Sequence, residues 1–222
     1  MGDDSKLIVM LTHNDHTVKN AHEVFTQCKD SKARIWGMKE AGLPLAQMQA
    51  LYFYMKECGM TTAMEVVAYT ERECMEGARM AAACGCDLLM GTLFFDSVNA
   101  FCTANGLRYM PFVGQVTGRP SILEGSVDGM IEEANRYLEK GVYGFDLLGY
   151  RYTEDAARLN KAFVSGVNAP VCIAGSINSN ERLDEVKDAA PWAFTIGSAF
   201  FENKFGGSLQ AQIDKVCGYM AT

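Results

Sequence analysis

The chain has 222 residues, 49% apolar and 21% charged, enough for one large core and a balance that excludes a disordered chain. Its net charge of −7 and pI near 5.0 argue against nucleic acid or an anionic membrane surface as a partner. No run of about 18 apolar residues occurs, so no membrane span is expected.

Eight short apolar runs follow one another along the chain: Leu7–Thr12, Arg34–Lys39, Thr62–Ala68, Asp87–Gly91, Arg108–Val113, Gly144–Leu148, Val171–Ala174 and Phe194–Ile196. Most are continuous rather than alternating, the pattern of parallel strands covered on both faces. Helical patterns lie between them, clearest at Glu71–Cys84 and Gly129–Glu139. Thr70-x-x-Glu73 and Asn178-x-x-Glu181 read as capping boxes, and Thr153 precedes Glu154 and Asp155 in a first turn. Gly59, Gly85, Gly106 and Gly141 read as helix ends before the next strand. Eight uninterrupted βα units predict a single (β/α)8 TIM barrel spanning 1–222, with an open doubly wound sheet as the alternative.

The eight cysteines are scattered among these patterns, without the paired spacing of zinc ribbons or the density of disulfide scaffolds. They read as thiols of a reducing cytosol, which places the protein in the cytoplasm. One longer connection, Gly114–Gly125 after the fifth strand, carries Gln115, Thr117, Gly118, Arg119 and Pro120. It reads either as a lid over a ligand or as an exposed connection.

Chemistry in such a barrel comes from the C-terminal ends of the strands and the loops after them. Lys39, Glu65 and Asp146 each interrupt or close an apolar strand, and a carboxylate so placed must be paired or be heavily desolvated. Lys39 is the natural partner, because strands 2 and 3 are neighbours. All three are candidate catalytic groups; a buried ion network that only fills the barrel mouth is the alternative. After the first strand, Asp15 is either a fourth catalytic candidate or a helix N-cap. His13, Gln115 and Arg151 are candidate substrate-binding residues, and an arginine there suits a carboxylate or phosphate. With three histidines in all, and His16 and His22 in the first helical pattern, no histidine metal site is expected. An oxygen-ligated Mg²⁺ stays open.

The last two strands end in Ala174-Gly175-Ser176-Ile177 and Ile196-Gly197-Ser198-Ala199. Adjacent turns of this kind aim backbone N–H groups at one spot, which suits a phosphate dianion. Phosphate usually sits above strands 7 and 8 of a TIM barrel. The aromatic cluster Phe194, Phe200, Phe201 and Phe205 reads as packing for the closing segment.

At these two turns the chain resembles the ribulose-phosphate-binding group of TIM barrels, which includes N-acetylmannosamine-6-phosphate epimerases and orotidine-phosphate-decarboxylase-like enzymes. The resemblance implies that Gly175, Ser176, Gly197 and Ser198 hold a substrate phosphate. It also implies a homo-oligomer, such as a dimer. The decarboxylase branch would carry Asp-x-Lys-x-x-Asp on strand 3, where this chain has Met64-Glu65-Val66-Val67-Ala68-Tyr69. A Schiff-base lysine on strand 6, as in related keto-acid aldolases, is replaced by Asp146.

These residues predict a metal-independent isomerase or epimerase for a small phosphorylated sugar or sugar acid, with proton transfer by Glu65 and Asp146 and no cofactor. A carbon–carbon lyase using Lys39 and a non-catalytic phosphometabolite-binding barrel are the alternatives. FMN also stays open, because its phosphate uses the same site in other barrels.

Overall fold

All eight apolar runs form strands in the computed structural model, which describes residues 5–221. The remaining ends of the expected 1–222 domain, residues 1–4 and 222, lie outside the described residues. The strands are β1 (Lys6–Met10), β2 (Ile35–Lys39), β3 (Thr61–Val66), β4 (Leu88–Gly91), β5 (Arg108–Met110), β6 (Phe145–Leu147), β7 (Val171–Ile173) and β8 (Ala193–Ile196). They pair in the order 6-7-8-1-2-3-4-5, every pairing parallel. The seam between β5 and β6 has no regular ladder. Single hydrogen bonds close it, from Tyr143 N–H to the Tyr109 carbonyl (3.0 Å) and from Asp146 N–H to the Pro111 carbonyl (3.1 Å). Pro111 follows β5 directly and has no N–H to offer, so this strand is shorter than its apolar run.

Helices α1 (Ala21–Cys28), α2 (Leu45–Glu57), α3 (Glu71–Ala83), α4 (Asp96–Ala104), α5 (Val127–Glu139), α6 (Ala156–Gly166) and α7 (Asn180–Ala189) follow the first seven strands. The short α8 (Ser198–Phe201) and then α9 (Leu209–Met220) follow β8. Apolar side chains fill two separate layers. Trp36, Phe145 and Phe194 face outward against the helices, while Ile8, Met10, Ile35, Leu88, Met90 and Met110 fill the barrel itself. Phe194, Phe200 and Phe205 are buried, so the closing segment packs as its aromatic residues predict. All eight cysteines are free thiols.

Local signals hold at some ends and shift at others. Thr70 caps α3, accepting from Glu73 N–H, and the four expected helix-end glycines have positive φ. The cap of α7 is Ser179, not Asn178, and the cap of α6 is Asp155, not Thr153. In each case the side chain three residues before the donating N–H accepts the bond. His16 is not helical. It lies in a two-stranded ribbon of Thr12–His13 against His16–Thr17, which precedes α1.

Tyr52 ties α2 to the barrel. Its fully buried hydroxyl donates to the Ala63 carbonyl (2.7 Å) and accepts from Met38 N–H (3.2 Å). Tyr52→Phe therefore leaves two buried backbone groups short of a partner. The expected loss is about 1–3 kcal/mol, read as a lowered urea midpoint with an unchanged m-value.

Candidate active site

A cavity of about 320 Å³ opens at the C-terminal end of the strands, at the small end of the range for ligand sites. Lys39, Glu65, Asp15 and Arg151 line it, together with both glycine turns. The predicted residues of strands 1, 2, 3, 6, 7 and 8 therefore meet in one place.

The centre of the array is Lys39. It closes β2 in register with Glu65 on β3, and its ammonium lies 3.5 Å from Glu65 Oε1. It also donates to Asp15 Oδ1 at 2.8 Å. Its side chain is only 11% exposed. Burial by itself would lower the lysine pKa, but the Glu65 charge and the Asp15 hydrogen bond outweigh it and hold the pKa above the ordinary value. The ammonium thus stays charged. Burial pushes the Asp15 carboxyl the other way, yet Lys39 overrides it, with help from Arg151 and Arg119, and Asp15 stays ionised.

Asp15 reaches Lys39 because it does not cap a helix. Asn14 and Asp15 form the two-residue turn of the Thr12–Thr17 ribbon, with φ of 50° and 60°. Positive φ at both central positions is the type I′ hairpin turn, which Asn and Asp tolerate better than other side chains. The Thr17 hydroxyl fixes the ribbon to β2 by donating to the Lys39 carbonyl (2.9 Å) and accepting from Lys39 N–H (3.0 Å). The tip meets the eighth-strand turn as well, since Asn14 N–H donates to Ser198 Oγ at 3.3 Å.

The two glycine turns form the opposite wall. Among the described residues, the N–H groups of Gly175, Ser176 and Ile177 donate to no carbonyl, and those opening α8 have no partner within the helix. Gly175 has φ of 91°, and a Cβ there would stand 2.9 Å from Arg151 Cγ. At Gly197 a Cβ would stand 2.5 Å from Thr12 Oγ1. Both positions bring backbone and neighbouring side chains closer than any other residue allows. Arg151 follows β6 in a single 3₁₀ turn, Gly149–Arg151. Its guanidinium makes no ion pair among the described residues, and it stands beside the seventh-strand turn.

Three expectations change. Asp146 does not face Glu65 across the cavity. It pairs in register with Cys172, which pairs with Ala193, and all three lie inside the barrel. One inward-facing step higher on the same strands stand Leu148, Ala174 and Thr195, which line the cavity. Asp146 is therefore beneath the floor. Gln115 is exposed on a second ribbon, Gln115–Thr117 against Ile122–Glu124, and is absent from the wall. His13 stands behind the rim, with Nε2 3.7 Å from Glu202 Oε1.

That second ribbon is the expected lid segment, and it is fastened in place. Tyr69 donates to the Gly118 carbonyl at 2.8 Å, and Arg119 bonds to Glu40 at 3.1 Å and to the Val67 carbonyl. Its Pro120 joins the cavity wall. Sequence reasoning passed over Thr195 and Glu202, which line the cavity as well. Glu202 closes α8 only one turn past Gly197, and that spacing is a signal that could have found it.

No protein-family model matches the sequence, and neither does any curated protein. Solved structures resemble it throughout. Orotidine 5′-phosphate decarboxylase from Pyrococcus horikoshii is 12% identical with a TM-score of 0.70, the match covering 97% of this chain and 99% of that one. N-acetylmannosamine-6-phosphate 2-epimerase from Clostridium perfringens is 14% identical with a TM-score of 0.63, covering 88% and 87%. N-(5′-phosphoribosyl)anthranilate isomerase from Pyrococcus furiosus is 12% identical with a TM-score of 0.66, covering 98% of each chain. Likeness at these identities establishes the (β/α)8 barrel.

Asp146 offers a test of the charge state beneath the floor. Its side chain is fully buried with both oxygens unpartnered among the described residues. Burial raises its pKa well above the ordinary carboxyl value, Glu65 raises it further and Lys39 opposes both. The folded state thus binds this proton more tightly than the unfolded chain does. That contribution to stability is complete below the unfolded pKa of about 3.9 and is lost as pH rises towards the folded value. Asp146→Asn removes the loss. Its stability relative to wild type should therefore improve between about pH 4 and pH 7, by up to about 1.4 kcal/mol per pH unit. Urea denaturation across this range checks it, and a flat difference contradicts a neutral Asp146.

Proposed function

We propose that this barrel is a metal-independent isomerase or epimerase acting on a small phosphorylated sugar or sugar acid. The observation that carries the proposal is the charged Lys39 ammonium, held between two carboxylates at one side of a cavity whose other side offers free backbone N–H groups and Arg151. The glycine turns and Arg151 hold the phosphate dianion. The carbonyl end of the substrate then lies over Lys39 and Glu65.

In this scheme the Glu65 carboxylate takes the proton from the carbon next to the carbonyl. The electron pair left behind moves onto the carbonyl oxygen, giving an enediolate. Lys39 steadies that oxygen with an N–H that was in place before the reaction, which is where electrostatic catalysis is most effective. For the isomer, Glu65 returns its proton to the neighbouring carbon while that carbon's hydroxyl proton passes to the enediolate oxygen. For the epimer, water delivers a proton to the opposite face of the same carbon and Glu65 gives the proton it took to the solvent. Asp15 keeps Lys39 charged and aimed. Asp146 takes no proton from substrate; as a neutral carboxyl below the floor, it spares Glu65 a second negative neighbour.

The same charge state weighs against the Schiff-base form of the lyase alternative, which needs a neutral lysine as nucleophile. Borohydride trapping with keto-sugar phosphates tests that alternative directly, and modification of Lys39 would restore it.

The proposed chemistry predicts deuterium uptake from solvent at a carbon alpha to the substrate carbonyl, followed by NMR. Glu65→Gln should lower kcat by about 10²–10⁴-fold, and Lys39→Met by about 10²–10³-fold. Substrates are found first by thermal shift across phosphorylated sugars, since a ligand of the native state raises its stability. Turnover without proton exchange, or full activity in Glu65→Gln, overturns the scheme.

A further inference from the structure

The charges around the cavity are unevenly divided, and the division bears on what the far end of a ligand can be. Two cationic side chains line the wall, Lys39 and Arg151. Arg151 belongs to the phosphate side, where its stem packs against the seventh-strand turn at Gly175. Among the described residues that line the cavity, Lys39 is the only cation on the other side; Arg119 stands behind it, tied to Glu40 and the Val67 carbonyl, and Lys39 is already engaged by Asp15 at 2.8 Å and Glu65 at 3.5 Å. Asp15, Lys39 and Glu65 together carry a formal charge of −1. Glu202 adds another carboxylate to the rim, where Lys204 stands 3.5 Å from it.

We infer that the cavity accepts phosphate monoesters whose remaining atoms carry hydroxyl and carbonyl groups but no second anionic group. This rests on the phosphate-ester reading above and narrows it from sugar or sugar acid to sugar. An ammonium has three N–H donors. One is given to Asp15 at 2.8 Å, while Glu65 holds the charge from 3.5 Å without a hydrogen bond, which leaves N–H donors for a neutral carbonyl or enediolate oxygen. The carboxylates accept from hydroxyl groups, so a polyol chain satisfies this side of the site. A ligand carboxylate finds no free cation here and faces two like charges in a site partly closed to water. Like-charge contact of that kind acts against the wrong ligand even when the rest of it fits.

Two phosphate esters of the same three-carbon skeleton separate these cases. Glycerol 3-phosphate ends in an uncharged hydroxymethyl group, and 3-phosphoglycerate ends in a carboxylate. Isothermal titration of the full chain with each, and with inorganic phosphate, measures the preference. The expected result is binding of inorganic phosphate and glycerol 3-phosphate, with 3-phosphoglycerate at least tenfold weaker than glycerol 3-phosphate. Asp15→Asn releases one partner of Lys39 and should narrow that gap at least threefold; Glu65→Gln should do the same by the other partner. Binding of 3-phosphoglycerate as tight as glycerol 3-phosphate overturns this inference and leaves the phosphate reading standing. A gap unchanged in both variants overturns it too, because the discrimination then has another source. If all three ligands fail to bind, the phosphate reading falls and the inference falls with it.

Discussion

The architecture of the barrel mouth depends on one buried ammonium group. Lys39 ends β2 at the level where the apolar interior gives way to the cavity, and its side chain joins β3 and the Thr12–Thr17 ribbon there by charge. Through Glu65 it neutralises an acid on the neighbouring strand. Through Asp15 it fixes the tip of the Thr12–Thr17 ribbon. Two residues of that tip have positive φ, a conformation that costs of order 1–3 kcal/mol each outside glycine and persists only because its surroundings fix it. Removing the ammonium would leave two carboxylates near a third carboxyl below them. An unpaired buried charge is far worse than an absent pair, so the cluster is conditional on this one side chain.

The eight-unit barrel was legible in the sequence because continuous apolar runs and regularly spaced glycine ends are both local consequences of a parallel sheet covered by helices. Local signals also brought Lys39, Glu65, Arg151 and the two glycine turns to one mouth. Depth was not legible. Alternation along a strand separates inward from outward positions, but it does not say how far up the barrel an inward residue stands. Asp146 and Leu148 both point inward, and only the register of β6 against β7 and β8 puts the first beneath the floor and the second on the wall. Gln115 shows the same limit in a loop. It follows strand 5 in sequence, yet in the ribbon it pairs with Glu124 and stands exposed, off the cavity wall. Asp15 was ambiguous for a further reason: Asn and Asp serve equally well in helix caps and in turns, and long-range bonds from Thr17 and Lys39 decide between them.

The two sides of the cavity are built in different ways. The side formed by the two glycine turns is mostly backbone, held by glycines at which a Cβ has no room, so its geometry is fixed by the barrel itself. The other side is made of long charged side chains whose positions depend on one another. Such a division suits a site that must grip a constant group and act on a variable one. The first side therefore belongs to the fold, and the second belongs to the particular side chains.

The seam between β5 and β6 has a consequence of its own. The other pairings of the barrel are continuous ladders, and here separate hydrogen bonds close the circle. The ribbon over the mouth leaves the chain between these same two strands, and its fastenings at Tyr69, Glu40 and Val67 lie across the opening on the β2–β3 side. The ribbon thus ties the segment after β5 to the ends of β2 and β3. The ring therefore lacks a regular ladder at this seam alone among its described pairings, and the ribbon leaves the chain at that place.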